Sequence, residues 1–124
     1  MPKKVLSCDD EPYILEAVSH VVQQEGYAAL TARDGEEALN LARSEMPDLM
    51  LLDIMMPKKQ GFEVCRELKS DAATRGIYII MLTAMGQERD MERGYECGAD
   101  EYMTKPFSPR ALRKRLHELL DGAP

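Results

Sequence analysis

Short apolar runs recur along the chain, separated by longer amphipathic stretches. The runs are VLSC at 5–8, LMLL at 49–52, IYIIML at 77–82 and EYM at 101–103, with YAALTA at 27–32 as a weaker candidate. The second and third of these runs are continuously apolar, which is the pattern of strands buried on both faces of a sheet. The pattern therefore predicts five β-strands, of which the second and third runs form strands buried on both faces.

The stretches between the runs carry apolar residues at helical spacing. Two of them share the offsets i, i+4, i+7 and i+8: Ile14, Val18, Val21 and Val22 in the first, and Leu112, Leu116, Leu119 and Leu120 in the last. Parallel strands need crossover helices, so an alternation of strand and helix favours a parallel sheet. We expect an α/β fold with a doubly wound, five-stranded parallel sheet and helices on both faces.

Helix ends carry chemical markers of their own. Asp34, with Glu37 three residues later, resembles a capping box. Ser108 followed by Pro109 supplies a cap and a proline at the first helical position. Two glycines suit the position just after a helix, Gly26 and Gly98.

The length and composition are those of one globular domain. The 124 residues, 44% of them hydrophobic and 31% charged, fit a single domain over 1–124, with 121–124 as a C-terminal tail or the start of a linker. No apolar run reaches the 18 or more residues of a membrane-spanning helix. The N-terminus MPKKVLSCDDE meets acidic residues too early for a secretory signal, so we expect a cytoplasmic protein without membrane contact.

Cysteine usage and net charge exclude several classes of site. Cys8, Cys65 and Cys97 are odd in number and widely spaced, which fits buried thiols rather than a disulfide framework or a paired metal site. A net charge of -6 argues against direct nucleic-acid binding. The one basic cluster is typical of a solvated helix face: Arg110, Arg113, Lys114 and Arg115.

Polar side chains follow the predicted strands at the points where they end. Asp9 and Asp10 follow the first run, Asp53 follows LMLL, Thr83 follows IYIIML, and the last run leads into Thr104, Lys105 and Pro106. The carboxyl ends of parallel strands meet at one edge of the sheet, where ligands bind in such folds. The sequence therefore predicts three carboxylates, a hydroxyl and an ammonium at a single site.

So many carboxylates at one site require positive charge. Two unit charges about 4 Å apart repel by roughly 4 kcal/mol at an effective dielectric near 20. Lys105 offsets only part of that repulsion, and a hard divalent cation such as Mg²⁺, with Mn²⁺ as an alternative, suits oxygen ligands of this kind. A carboxylate beside Mg²⁺ and a lysine can act as a nucleophile on phosphorus, so we interpret Asp53 as a candidate phosphoryl acceptor.

These residues resemble the response-regulator receiver domain of two-component signalling, of the chemotaxis-receiver-like kind. The resemblance spans essentially the whole chain. It rests on the acidic pair Asp9 and Asp10, on Asp53 in "DIMMP", on Thr83 in "LTAMG" and on "KPF" at 105–107. It implies a flavodoxin-like (βα)5 fold with strand order 2-1-3-4-5.

The resemblance also implies a role for each matched residue. Asp53 would accept a phosphoryl group from a sensor histidine kinase or a phosphotransfer protein, while Thr83 and Lys105 would contact the phosphoryl oxygens. The implied metal ligands are Asp10 and Asp53 directly, Asp9 largely through water, and the backbone carbonyl of Met55. The peptide bond between Lys105 and Pro106 would be a candidate for the cis form.

The family further implies a conformational switch in which Thr83 moves toward the phosphoryl group and Tyr102 turns inward. The surface formed by the fourth helix, the fifth strand and the fifth helix would carry the signal to a downstream effector, with Arg110, Arg113 and Lys114 along its border. Such a domain would not be a turnover enzyme, because it catalyses only its own phosphorylation and slow dephosphorylation. It would be a monomer, or a dimer that depends on phosphorylation.

Other readings remain open at this point. A phosphatase of the haloacid-dehalogenase type also combines Asp, Thr, Lys and Mg²⁺, but it needs a second Asp where this chain has Met55. A module that keeps only the fold is a third possibility, although the whole residue set is present. Taken in isolation, Asp9 and Asp10 could simply cap the first helix. His20 and His117 are expected to face solvent.

Two methionines bear on the lifetime of a phosphoryl group. Met55 stands two residues after Asp53, and Met85 stands two residues after Thr83. Flexible apolar side chains cannot orient an attacking water as an acid or an amide could. We therefore expect a long-lived phosphoryl-aspartate.

Overall fold

The computed structural model describes residues 2–84, 97–105 and 107–121. Five strands form one sheet: β1 (Lys4–Cys8), β2 (Ala28–Ala32), β3 (Leu49–Asp53), β4 (Tyr78–Ala84) and β5 (Glu101–Lys105). Their order is β2-β1-β3-β4-β5, and every neighbouring pair is parallel. The predicted fold class and strand order are confirmed.

The described helices are α1 (Pro12–Gln24), α2 (Gly35–Glu45), α3 (Gly61–Ser70) and α4 (Pro109–Leu120). The predicted fourth helix would lie between β4 and β5, where residues 85–96 are outside the described part of the chain, so α4 corresponds to the predicted fifth helix. Within the described ranges, none of the helices combines the length and the apolar character needed to cross a lipid bilayer.

The core consists of two apolar layers, one on each face of the sheet. β3 is buried along its whole length, and its side chains alternate between the layers. Met50 and Leu52 pack on the side of α2 and α3, whereas Leu49 and Leu51 pack on the side of α1 and α4. This burial on both faces explains why the run LMLL shows no alternation of polar and apolar residues.

The predicted helix caps form, with one change of partner. Asp34 Oδ1 accepts a hydrogen bond from the backbone N–H of Glu37 at 2.9 Å, but Glu37 Oε1 accepts from Arg33 N–H at 2.8 Å, one residue before the cap. Ser108 Oγ accepts from Ala111 N–H at 3.0 Å at the start of α4. Asp34 and Glu37 therefore each accept a backbone hydrogen bond at the start of α2, although not in the reciprocal form that the sequence predicts.

The C-terminus of α1 is closed by a glycine in the left-handed region. Gly26 has a φ of 88°, its N–H donates to Gln23 O at 3.0 Å, and Tyr27 N–H donates to Val22 O at 3.1 Å. This pair of bonds is a Schellman motif, and it ends the helix where the sequence predicts. Gly98 also has a positive φ, of 95°, but the residues before position 97 are outside the described part.

The strand register aligns the residues that follow each strand. Cys8 pairs with Leu52, Asp53 pairs with Leu82, and the β4–β5 ladder pairs Thr83 with Thr104. Asp9 continues β1 by donating its N–H to Ala32 O at 3.1 Å. The carboxyl ends of the central strands therefore reach the same level, and the polar residues that follow them share one edge of the sheet.

Candidate phosphoacceptor site

Lys105 connects two of the predicted carboxylates. Its ammonium lies 2.7 Å from Asp9 Oδ2 and 3.5 Å from Asp53 Oδ2, although 96 positions separate Lys105 from Asp9 in the sequence. Asp9 is 1% exposed and Asp53 8% exposed, so both carboxylates are largely removed from water. A buried charge needs a partner of opposite sign, and here one lysine serves two acids.

Asp10 completes an acidic cluster at the same edge. One carboxylate oxygen each of Asp9, Asp10 and Asp53 lies within 4.8 Å of the others, and Asp10 is exposed where the other two are buried. Asp9 Oδ1 also accepts a hydrogen bond from Glu11 N–H at 3.0 Å, which holds the loop before α1. The predicted convergence of the three acids and Lys105 is what the structure shows.

The backbone of Asp53 is held by a close contact behind it. Ile54 N–H donates to Leu82 O at 3.4 Å, and Gly61 N–H donates to Ile54 O at 2.9 Å, which folds the loop after β3 back on the strand end. A Cβ atom at Gly61 would lie 2.3 Å from the carbonyl oxygen of Asp53. No role was predicted for Gly61 from the sequence, although a glycine at the start of a helix close to the acidic residue was a visible signal.

Burial dominates the electrostatics of Asp53. Desolvation raises the pKa of its carboxyl to about 6, with a further increase from the charge of Asp9, while Lys105 and the N–H of Met55 act in the opposite direction. Burial opposes the charge on Lys105, but the hydrogen bond to Asp9 and the charge of Asp53 outweigh it and raise the pKa of the ammonium. Among the described residues, the three carboxylates thus outnumber the one ammonium at the site.

This donor set fits a hard divalent cation. The described cluster offers carboxylate oxygens, one exposed residue through which solvent has access, and an excess of negative over positive charge. Mg²⁺ and Mn²⁺ prefer oxygen ligands and retain water molecules alongside one or two carboxylates. Burial raises the pKa of Asp53, and a cation at the cluster would favour the ionised form of its carboxyl.

Three of the other predicted residues lie on strands next to the site or in the loop that follows Asp53. Thr83 is 3% exposed and follows Leu82, the partner of Asp53 in the sheet. Tyr102 is half-buried on β5 and packs against the core layer of α2 and α3. The side chain of Met55 is 67% exposed. Met85 and Pro106 lie outside the described residues, so the cis peptide and the role of Met85 stay predictions.

The structure contradicts two of the simpler interpretations of the sequence. Asp9 and Asp10 do not cap α1, because its N-cap residue is Glu11, whose side chain makes no capping hydrogen bond. His117 is not simply turned to solvent: its ring hydrogen-bonds Asp121, Glu25 and the hydroxyl of Tyr27. His20 is exposed, as expected.

The basic cluster of α4 divides between two sides of the helix. Arg113 contacts Gln24 at 3.2 Å and Glu25 at 3.7 Å, which places its guanidinium against α1 and away from β5. Arg115 makes a double hydrogen bond to Glu101 at the start of β5, with its Nε at 2.9 and 2.8 Å from the two carboxylate oxygens. Arg115, and not Arg113, therefore borders the β5 side, because the helix turns these residues to different faces.

Comparison with known proteins agrees with this geometry. The family model of the response regulator receiver domain matches residues 5–117. This chain is a member of that family. The receiver domain is 47% identical to the alkaline phosphatase synthesis transcriptional regulatory protein PhoP of Bacillus subtilis (strain 168), over 97% of this chain and 49% of the relative.

Two further relatives support the assignment. The phosphate regulon transcriptional regulatory protein PhoB of Escherichia coli (strain K12) is 42% identical over 97% of this chain and 52% of its own length. The chemotaxis response regulator CheY4 of Vibrio cholerae superposes with a TM-score of 0.89 at 35% identity, covering 97% of this chain and all of the other. The receiver domain spans about half the length of the curated relatives it matches.

Proposed function

We propose that this receiver domain accepts a phosphoryl group on Asp53 and switches conformation in response. The observation that carries the proposal is the contact of one ammonium, that of Lys105, with both Asp9 and Asp53, with Asp10 in the same cluster. Structural ion pairs do not need a third carboxylate beside them. A site that receives a phosphoryl group becomes more negative when it does. It therefore needs the positive charge of the lysine and carboxylates that can hold a cation.

The transfer step assigns a task to each residue. An oxygen of Asp53 attacks the phosphorus of a phosphohistidine, the new P–O bond forms, and the P–N bond breaks to release the imidazole. Lys105 and Thr83 stabilise the negative charge that spreads over the phosphoryl oxygens in the transition state. Asp53 must be ionised to attack, and the positive charge of Lys105 favours that form.

Asp10 and Asp53 are the proposed direct ligands of Mg²⁺ or Mn²⁺, with Asp9 acting largely through water and Met55 through its backbone carbonyl. When bound, the cation supplies positive charge that offsets both the carboxylates and the incoming phosphoryl oxygens. Lys105 holds Asp9 in place, since its ammonium lies closer to the carboxylate of Asp9 than to that of Asp53.

The proposed switch runs from the site to β5. A phosphoryl group adds a charge of about -2 next to Thr83, and this favours the state in which the hydroxyl approaches the new oxygens. Thr83 pairs with Thr104 and Met81 pairs with Tyr102, so the site and the aromatic ring lie on adjacent strands. We propose that the surface of β5, of α4 and of the helix predicted between β4 and β5 transmits the change.

The proposed partners follow from the family. A sensor histidine kinase or a phosphotransfer protein supplies the phosphoryl group, and a downstream effector receives the signal. The PhoP and PhoB relatives are named transcriptional regulatory proteins, so control of transcription is the proposed output of a longer protein. The receiver domain itself is proposed not to bind nucleic acid directly, because its net charge is -6.

Phosphorylation with a small donor tests the proposal. The protein is incubated with Mg²⁺ and either acetyl phosphate or beryllofluoride. Intact mass should show one phosphoryl adduct per chain after acetyl phosphate, and ¹⁹F NMR should show one bound beryllofluoride adduct per chain. Asp53→Asn should lose the adduct, whereas Asp48→Asn, an exposed carboxylate at the other end of β3, should keep it. Adduct formation in Asp53→Asn, or rapid turnover of phosphomonoesters by the parent protein, would reject the assignment.

A further inference from the structure

Two of the three cysteines meet between α3 and the segment that leads into β5. The thiol of Cys65 donates a hydrogen bond to the backbone oxygen of Cys97 at 3.7 Å, and Cys65 also interacts with the thiol of Cys97. Only one carbon separates that oxygen from the Cα atom of Cys97, so the Cys65 sulfur lies within about 6 Å of that Cα. The Cys65 sulfur is therefore within reach of a sulfur carried on that Cα, which is the requirement for a disulfide to close.

The backbone around the pair is held in place by other contacts. Lys69 of α3 donates to Ile77 O at 2.6 Å and to Asp100 Oδ2 at 2.7 Å. A Cβ atom at Gly98 would lie 3.2 Å from the Cβ of Lys69, which shows how closely the segment sits on the helix. The segment that carries Cys97 is therefore fixed against the helix that carries Cys65.

The three thiols are chemically unequal. The hydrogen bond from Cys65, with help from the N–H of Ala99 and the charge of Arg66, lowers the pKa of Cys97 although burial opposes ionisation. That same hydrogen bond, together with burial, raises the pKa of Cys65. Burial, and then the nearby carboxylates, raise the pKa of Cys8. Since the thiolate is the reactive form, Cys97 is the best nucleophile of the three and Cys8 serves as an internal control.

We propose that Cys65 and Cys97 form a dithiol that hydrogen peroxide converts into an intramolecular disulfide. The thiolate of Cys97 attacks one peroxide oxygen, the O–O bond breaks, and the hydroxide released takes up the thiol proton to become water. The sulfur of Cys65 then attacks the sulfenic acid on Cys97, forming the S–S bond. The S–O bond breaks, and the hydroxide leaves as water with the proton of Cys65. Two thiols lose two electrons, and one peroxide becomes two waters.

The disulfide would act on the end of β5 that lies away from the phosphoacceptor site. Asp100 N–H donates to Ile79 O at 3.0 Å, so the segment of Cys97 enters the sheet where β4 begins. The new bond would tie α3 to the entry of β5, the strand that carries Tyr102 and Lys105. Oxidation would thus restrain the strand without consuming any residue of the phosphoryl site.

Thiol counting on the folded protein tests the proposal. The protein is treated with hydrogen peroxide, then denatured and blocked with N-ethylmaleimide, and is analysed by intact mass and peptide mapping. We expect the loss of two hydrogen atoms, a single maleimide on Cys8, and a crosslinked pair of peptides containing Cys65 and Cys97. Dithiothreitol should restore all three thiols. The disulfide-bonded form should also unfold at a higher temperature than the reduced form.

Variants separate the pair from general thiol oxidation. Cys8→Ser should form the disulfide as the parent does, and Cys65→Ser should instead leave a sulfenic acid on Cys97 that dimedone traps. The parent and Cys8→Ser suffice for the test if Cys65→Ser folds poorly. Retention of three maleimides in the parent, at peroxide doses that oxidise a free dithiol, would overturn the proposal. A crosslink through Cys8 or between chains would overturn it as well.

Discussion

The carbonyl oxygen of Asp53 lies 2.3 Å from the point that a Cβ atom would occupy at Gly61. Gly61→Ala must therefore move the backbone of the proposed phosphoacceptor or the start of α3. We expect the free energy of unfolding to fall by about 1–3 kcal/mol and phosphorylation by acetyl phosphate to slow, because the carboxylate leaves its position. Chemical denaturation and mass spectrometry measure the two effects.

Gly76→Ala is the matched control for that substitution. Among the described residues other than its chain neighbours, no atom lies within 4 Å of a Cβ built at Gly76, so the variant should stay within about 0.5 kcal/mol of the parent protein. Equal stability and equal labelling of the two variants would show that the contact behind Asp53 does not matter.

Lys105 competes with a cation for the acidic cluster. Lys105→Met removes the ammonium that lies 2.7 Å from Asp9, so we expect Mg²⁺ to bind more tightly, by about 3- to 10-fold, in isothermal titration. Phosphorylation should nevertheless slow by about 10- to 100-fold, since the charge that stabilises the transferring group is lost. Lys105→Arg keeps the charge and serves as the control. Weaker Mg²⁺ binding by Lys105→Met would contradict the electrostatic account.

The exposed side chain of Met55 offers a test of phosphoryl lifetime. The parent protein should hold its phosphoryl group for minutes or longer in the presence of Mg²⁺, and hydrolysis within seconds would contradict the prediction. Met55→Glu should shorten the lifetime by about 2- to 10-fold, because a carboxylate there can orient an attacking water. Met46→Asn replaces another exposed methionine as the control and should leave the decay of the labelled protein unchanged.

The contacts of His117 predict a pH dependence of stability. Hydrogen bonds to Asp121 and then to Glu25 raise the pKa of the imidazole above its ordinary value. A raised folded-state pKa means that the stabilisation is complete below the unfolded value of about 6.5 and is lost as pH rises through the folded value. The gap in Tm between the parent and His117→Gln should therefore be larger at about pH 5.5 than at about pH 9.

His20→Gln provides the comparison for this effect. His20 is an exposed histidine on α1, so its replacement should change Tm little and by a similar amount at both pH values. A gap for His117→Gln that widens toward alkaline pH would reverse the sign and rule out a stabilising imidazolium.

Much of the fold was predictable because local patterns carried it. The run LMLL lies in a strand buried on both faces, the apolar offsets of α1 and α4 identify their packed faces, and Ser108 caps α4 as expected. The acidic cluster was predictable for a different reason. Parallel strands place their carboxyl ends together, so strand-end positions in the sequence are enough to place Asp9, Asp10 and Asp53 at one edge of the sheet.

Other features depend on contacts that no local pattern carries. Gly61 is needed because the backbone of Asp53 passes behind it, and the reach of Glu37 to Arg33 depends on the path of the chain before α2. The thiols at 65 and 97 were expected to be buried but not to be partners. The contact of Arg113 with Glu25 likewise depends on the rotation of α4 against α1.

The sequence by itself determined the alternation of strands and helices, the burial of β3 and the chemical identity of the site, because periodicity and strand-end chemistry are local properties. Only the tertiary structure decided that one ammonium serves both Asp9 and Asp53, that Cys65 meets Cys97, and that His117 closes a cluster with α1. Those contacts arise where elements distant in the chain pack at a particular rotation and depth. The periodicity of a single element does not contain that information.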